Sequence, residues 1–373
     1  MQRGPPRPVG QSALAQPTVT ARRAGRYRAA RRRAGPRLAA LAVSDSANVL
    51  SQRQVLDRLR LAGDEFAEGI FERCGVQHRH LELSDEFLDL TLQGRTARIE
   101  DDLMRHSIHA IDAVEIDPAR IGTVLSATLY SLGGPTLAHR IVEHFRMDPA
   151  TDKYHVTGVG CASGVPLMRL ASQALAAHPE RDVLVVAAES MSGVLTRARS
   201  GDPRAKTVGS AIFGDGCSAA LLSADPRADG PSILASQVHQ IGGTLDAVSL
   251  RFDNDDSYLH LARELPDLAG AGLGEVVDRF LRRNRLGRSQ VDHWVVHPGG
   301  RRIIENMRDA LELSDEDVAL SWSVLADHGN VGTPSIFYVL KDTIERRAPE
   351  PGEHCLMVTI GPGVTVGMML LGW

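Results

Sequence analysis

Three side chains able to form bonds or hold charge sit at glycine-flanked turns far apart in the chain. Cys161 follows Gly158-Val159-Gly160 and precedes Ala162-Ser163-Gly164, His297 opens His297-Pro298-Gly299-Gly300, and Asn330 follows His328-Gly329. A thiol, an imidazole and a carboxamide together make a nucleophile, a base and a neutral hydrogen-bond donor. Glycines beside them let the backbone turn sharply and approach a substrate closely.

Each group needs an element to carry it. Residues 154–159 read as a strand, and Val165, Met168, Ala171 and Leu175 share one helix face. Cys161 is therefore expected at a strand-to-helix turn, where exposed N–H groups and the helix dipole favour thiolate over thiol. A nearby imidazolium would lower its pKa further. The alternative is a small buried Cys at a tight turn. His297 closes an apolar strand at 293–296, and it reads as a base toward Cys161 and a donor to a developing oxyanion. Asn330 is either an ordinary turn residue or a second oxyanion donor. No His, Cys or carboxylate spacing suggests a metal.

Strand-like and helix-like runs alternate through the chain, which predicts an α/β layered fold. Residues 37–43 read as a first strand, and Ser51 as the cap of one helix with Val55, Leu59, Phe66 and Ile70 on its apolar face. The continuous apolar runs 182–188 and 217–222 read as strands buried on both faces. A second series begins near Ser232, with a helix over 274–285, a strand at 293–296 and a helix from about Arg301. The strands 356–360 and 364–371 close the chain around Gly361-Pro362-Gly363. The corner at Cys161 has a counterpart at His297, a sign of internal duplication.

The chain has 373 residues, 43% of them apolar, enough for one large domain or two ordinary ones. Residues 1–44 hold ten Arg and no Lys, Asp or Glu, so the rest carries 32 basic against 46 acidic groups. Such a body offers no broad basic surface, and nucleic-acid binding is not expected. No run of about 18 apolar residues predicts a membrane span. The Arg/Pro/Ala-rich segment 1–34 reads as a disordered extension or, alternatively, a transit-type leader. Cys74, Cys161, Cys217 and Cys355 are widely spaced with no CxxC, which argues for free thiols and a cytoplasmic location.

These residues resemble the type III polyketide synthases, the chalcone and stilbene synthase-like family of the thiolase superfamily. The resemblance rests on Gly160-Cys161, Ile212-Phe213-Gly214-Asp215-Gly216, His297-Pro298-Gly299-Gly300, Gly329-Asn330 and Gly361-Pro362-Gly363-Val364-Thr365-Val366, in the family's order. It implies a thiolase-like duplicated α/β/α/β/α fold, with one half over 35–228 carrying Cys161 and another over 229–373 carrying His297 and Asn330. It also implies a homodimer whose substrates are acyl-CoA and malonyl-CoA, with no further cofactor. Cys161 would take the starter acyl group, and His297 and Asn330 would hold the enolate from malonyl-CoA, whose charge needs neutral or cationic donors with no carboxylate beside it. Phe213 would shield the decarboxylating group, its alternative being a core Phe before a glycine turn. Gly361, Pro362 and Gly363 would border the cavity, and Arg73 and Gly300 would meet coenzyme A.

The chain also departs from the plant pattern. A second gate phenylalanine falls on Leu259, and lining positions commonly polar in plants fall on Leu129, Met191, Val194 and Gly332. The resemblance then implies a wider, less polar cavity, closer to bacterial enzymes making resorcinols, pyrones, polyhydroxynaphthalenes or dihydroxyphenylacetyl-CoA. Two other readings remain. One is a ketoacyl synthase III-like acyltransferase making a single condensation, and the other a degenerate partner of an active paralogue.

Overall fold

The computed structural model describes residues 35–129, 133–252, 257–262, 264 and 272–373, with backbone alone at 250–252, 257–259 and 261. Segment 1–34 lies outside them. The first half supplies strands β1 (Arg37–Ser44), β2 (Val49–Ser51), β3 (His78–His80), β4 (Ile121–Ala127), β5 (Asp152–Val156), β6 (Asp182–Glu189) and β7 (Gly216–Ser223). Its helices are α1 (Gln52–Arg58), α2 (Glu65–Arg73), α3 (Asp85–Leu88), α4 (Leu92–Ala113), α5 (Leu137–His144), α6 (Gly164–Ala177) and α7 (Arg204–Ile212). The second half adds β8 (Ser232–Gln240), β9 (Val248–Phe252), β10 (Ser257–Leu261), β11 (His293–Val296), β12 (His354–Gly361) and β13 (Thr365–Gly372). With them come α8 (Leu273–Arg283), α9 (Arg301–Leu311), α10 (Ala319–His328) and α11 (Ser335–Asp342).

Nine strands pair in the order β11-β12-β13-β8-β1-β7-β6-β4-β5. The order holds one pattern twice. β4 is parallel to β6, β6 antiparallel to β7 and β7 antiparallel to β1. Likewise β11 is parallel to β12, β12 antiparallel to β13 and β13 antiparallel to β8. The two runs meet at the Arg37–Ser232 pair. This repeat is the expected duplication, but it matches different corners. Helix α6, which follows Cys161, corresponds to α11, which follows Asn330, because each enters its run before the parallel middle strand. His297 corresponds instead to the end of β4, beside Leu129.

Burial alternates as a doubly covered sheet requires. Along β6, Leu184, Val186 and Ala188 join one apolar cluster, while Val183, Val185 and Ala187 join another. The second cluster is the middle of the molecule. Val165, Met168, Ala171 and Leu175 of α6 meet Ile336, Phe337, Val339 and Leu340 of α11 there, between strands of both runs. Gly164 permits the close approach, since a Cβ there would lie 2.8 Å from Ile336 Cγ2. Helices on the outer faces complete five layers.

One predicted helix is two. Ser51 caps α1 with a capping box, but α1 ends at Arg58, and Asp64 caps α2 after Gly63 at φ +87°. Arg60, left-handed at φ +58° with Leu61 N bonded back to Leu56 O at 3.0 Å, stops the first helix, and the Asp64 carboxylate starts the next, although the apolar spacing runs on through both.

Candidate active site

Strand β5 ends at Val156, three residues before the expected end at 159, and the chain reaches Cys161 through Gly158 (φ +81°) and Gly160 (φ +52°). A Cβ at Gly160 would stand 2.8 Å from Pro362 Cδ. Cys161 lies in a 3-10 turn, Gly160–Ser163, that runs directly into α6. The Gly361-Pro362 turn packs on it, and a Cβ at Gly361 would meet Ala162 N at 2.6 Å.

These turns open on a cavity of about 910 Å³. Cys161, His297, Asn330 and Phe213 line it together, as do Leu129, Met191, Gly332, Gly361, Pro362, Arg73 and Gly300. Two sequence expectations fail here. Val194 is not among the lining residues, because the turn Met191–Val194 lies against α4 and turns Val194 into the core. Gly363 sits behind the wall, where its carbonyl accepts from Thr244 Oγ1 at 2.9 Å and its φ of +62° shapes the turn. Leu259 faces Leu250 in the β9–β10 backbone register, and its side chain lies outside the described residues.

Asn330 has a fixed orientation. Its Oδ1 accepts from the Gly332 N–H at 2.9 Å and from Ser335 Oγ at 3.2 Å, and the Cys161 thiol approaches it at 3.8 Å. A backbone N–H can only donate, so the carbonyl side is decided and the NH₂ group turns toward Gly299 O, 3.3 Å away. His297 is buried, and its Nδ1 has no partner among the described residues. Gly299 leaves room for the ring, since a Cβ there would lie 3.1 Å from Nε2.

The electrostatics correct the expectation of a resting thiolate. Desolvation, with the Glu189 carboxylate adding to it, pushes the Cys161 thiol up to about 12. Burial pushes His297 down to about 4. Both groups are therefore neutral near pH 7, and the imidazole keeps a lone pair for the thiol proton.

Glu189 also overturns the idea of a site without a carboxylate. It ends β6, is 2% exposed and lines the cavity. Burial raises its pKa to about 7 against donors at Leu129 N (2.8 Å), Thr333 Oγ1 (3.2 Å) and Thr128 Oγ1 (3.3 Å). A carboxylate closing an otherwise apolar strand was the sequence signal for it. Arg79 is buried beside the site without a comparable signal, while Asp215, also buried there, stood in the sequence only as part of the Ile212–Gly216 motif. Asp215 accepts from Ser192 N at 2.7 Å and Ser192 Oγ at 2.6 Å, fixing the turn that carries Met191.

Arg73, Arg204 and Arg301 are exposed where the cavity meets solvent. Arg204 covers the Phe66 ring at 4.7 Å, and Arg301 pairs with Glu305 at 2.9 Å. Among the described residues Arg73 and Arg204 have no carboxylate partner. Outside the cavity, Asp45, His80 and His328 bring ligand-type atoms within 4.8 Å of one another, a grouping that spacing along the chain did not reveal. Internal bonds engage these groups: His328 Nδ1 to Asp45 at 3.1 Å, Tyr338 OH to Asp45 at 2.8 Å, and His80 Nδ1 to Ser46 O at 2.6 Å. They brace the end of α10, two residues before Asn330.

A family model described as FAE1/Type III polyketide synthase-like protein matches residues 41–283, and one for the chalcone and stilbene synthase C-terminal domain matches 233–372. A 3,5-dihydroxyphenylacetyl-CoA synthase of Amycolatopsis balhimycina is 31% identical over 90% of this chain and 93% of its own length. A 1,3,6,8-tetrahydroxynaphthalene synthase of Streptomyces peucetius subsp. caesius is 29% identical over 71% of this chain and 70% of its own. In solved structures, the tetrahydroxynaphthalene synthase of Streptomyces coelicolor A3(2) superposes with a TM-score of 0.83 at 21% identity, covering 91% of this chain and 99% of that one. PKS-I of the brown alga Ectocarpus siliculosus does so with 0.83 at 23%, covering 92% and 99%. At these identities the structural likeness establishes the shared fold.

Proposed function

Because this chain belongs to the type III polyketide synthase family, a class of acyltransferases, we propose that its cavity runs decarboxylative condensation on Cys161. The observation that carries the reading is the convergence of Cys161, His297 and Asn330 on one cavity, with Arg73 and Arg204, which have no carboxylate partner among the described residues, at its mouth.

The substrates are CoA-linked. The Cys161 sulfur attacks the starter thioester carbonyl while the neutral His297 ring takes the thiol proton. The C–S bond to coenzyme A breaks, and the departing thiolate takes that proton. Malonyl-CoA then loses CO₂, and the electron pair of the broken C–C bond becomes an enolate. Its oxyanion accepts hydrogen bonds from the Asn330 NH₂ and the His297 ring. The enolate carbon attacks the Cys161-bound acyl carbonyl, giving a β-ketoacyl-CoA and freeing the sulfur for another round. Phe213, buried beside Asn330, keeps water from the carbanion. Glu189, about half protonated near pH 7 and tied by Thr128 and Thr333, brings less than a full negative charge to the site. No step calls on a metal or organic cofactor.

The lining by Leu129, Met191, Ile212 and Ile360 supports an aliphatic starter of medium length, each buried methylene contributing about 0.8 kcal/mol. The similarity to 3,5-dihydroxyphenylacetyl-CoA synthase favours a second reading, an aromatic product built from malonyl units alone. Product masses from malonyl-CoA, with and without an acyl-CoA panel, decide between them. Products of a single condensation would favour the ketoacyl synthase-like alternative.

A homodimer belongs to this reading. Strand β5 ends the sheet and carries Tyr154, 54% exposed, so light scattering should give twice the chain mass. The four free cysteines fit a reducing, cytoplasmic setting, and no described helix is long and apolar enough to cross a membrane.

A further inference from the structure

The walls that carry Phe213 and Asn330 are held at one point. Helix α7 ends just before Phe213, and its last hydrogen bond runs from Phe213 N to Gly209 O at 3.1 Å. The next four carbonyls are helix-end groups that need outside donors. Arg79 Nη1 donates to Ser210 O at 2.6 Å and to Phe213 O at 2.9 Å. Gln52 Nε2 donates to Ala211 O at 2.8 Å, and Asn330 N to Ile212 O at 2.7 Å. Gly214 N returns a bond to Asn330 O at 3.1 Å, so the backbones of the two site residues are bridged.

Arg79 is fully buried and, among the described residues, has no carboxylate at ion-pair distance, although the buried Asp215 lies near enough to favour its charge. Its Nη2 reaches Gln52 Oε1 at 2.6 Å, and its guanidinium lies 5.6 Å from the centre of the Phe71 ring. The cation is stabilised by helix-end carbonyls, an amide oxygen and a ring face. Its stem also borders the other wall. A Cβ at Gly329 would stand 3.1 Å from Arg79 Cγ and Cδ and 2.6 Å from Ile212 O, so only glycine fits before Asn330. An arginine with no access to substrate thus touches the backbone of one site residue and the neighbour of another.

We propose that Arg79, supported by Gln52, is a positioning residue that sets the spacing between Phe213 and Asn330 and thereby the efficiency of malonyl-CoA decarboxylation. The inference rests on reading Asn330 as the enolate donor. Acylation of Cys161 uses the α6 turn and His297, and its contact with the bridge is the long 3.8 Å approach of the thiol to Asn330 Oδ1. A misplacement of about 1 Å in a catalytic group can cost on the order of 100-fold.

The test compares both half-reactions in the purified full-length protein. Acetyl-CoA formation from malonyl-CoA reports decarboxylation, and single-turnover labelling from an acyl-CoA reports acylation. Arg79→Lys keeps a charge but loses the planar fork that spans two carbonyls. It should lower kcat for decarboxylation roughly 10- to 100-fold, with KM for malonyl-CoA and the acylation rate within about twofold. Gln52→Leu leaves Arg79 in place and should give a smaller loss of the same kind. It also decides the matter if Arg79→Lys does not fold. Parallel loss of both half-reactions, or no loss in either variant, would overturn the assignment. Decarboxylation that survives Asn330→Ala in an otherwise wild-type protein would instead overturn the reading of Asn330 on which it rests.

Discussion

The floor and the mouth of the cavity are built by opposite means. At the floor, His297, Asn330 and Phe213 are each no more than 3% exposed, and backbone bonds, glycine contacts and a buried guanidinium decide their positions. At the mouth, Arg73, Arg204 and Arg301 are long, solvated side chains on helix surfaces. An enolate is stabilised by donors already in place and shielded from water, because their reorganisation would otherwise add to the barrier. A phosphate-bearing cofactor tail needs charge within reach, and flexible cations meet that need while still letting product leave. Floor substitutions should therefore act on kcat, and mouth substitutions on KM and its salt dependence.

The largest expected effect is at the nucleophile. Cys161→Ala should remove acyl loading altogether and lower polyketide formation by on the order of 10⁴-fold or more, with an unchanged melting temperature. Residual loading measured by acyl-CoA labelling would mean another group carries the chain. Next comes Asn330→Ala, which should cut decarboxylation roughly 100- to 1000-fold while acylation changes far less. Equal losses in the two assays would make Asn330 a structural residue.

The mouth should yield less. Arg204→Ala is expected to raise KM for malonyl-CoA about tenfold at low ionic strength, the scale of one charge-assisted hydrogen bond, with kcat within about twofold. That difference should shrink in high salt, and a kcat loss of equal size would erase the division between floor and mouth. Glu189 offers a subtler probe. Its folded pKa, about 7, lies above the ordinary carboxyl value of 4.5, so its contribution to stability is full at low pH and lost as pH rises through 7. Glu189→Gln should flatten that decline, narrowing the fall in Tm between pH 5 and 7 by roughly 2–4 °C. An unchanged profile from thermal scans would place its titration elsewhere. Smallest of all, removing residues 1–34 should leave Tm and turnover within error, and lost activity would tie the Arg-rich segment to the body.

Much of this was legible in the sequence, and the reason differs from residue to residue. Cys161, His297 and Asn330 announced themselves because glycine-flanked turns are local features. Strands such as 182–188 did so because a strand buried on both faces must be continuously apolar. What escaped depends on distance in space. Val194 and Met191 share one short turn, and only packing on α4 decides which of them sees the cavity. Arg79 reads as one more arginine until the α7 carbonyls are placed around it. The thiolate expectation failed because a helix N-terminus is visible in sequence while the desolvation that opposes it is not. The matching of Cys161 with His297 failed because similar local turns hid the strand order that pairs α6 with α11.

The floor of the cavity is where the growing chain should be held. Peptide mapping by mass spectrometry after brief incubation with an acyl-CoA starter examines that directly. A single acyl adduct on the peptide containing Cys161, discharged when malonyl-CoA is added, is the predicted result. An adduct on Cys74, Cys217 or Cys355, or one on Cys161 that malonyl-CoA fails to discharge, would contradict it.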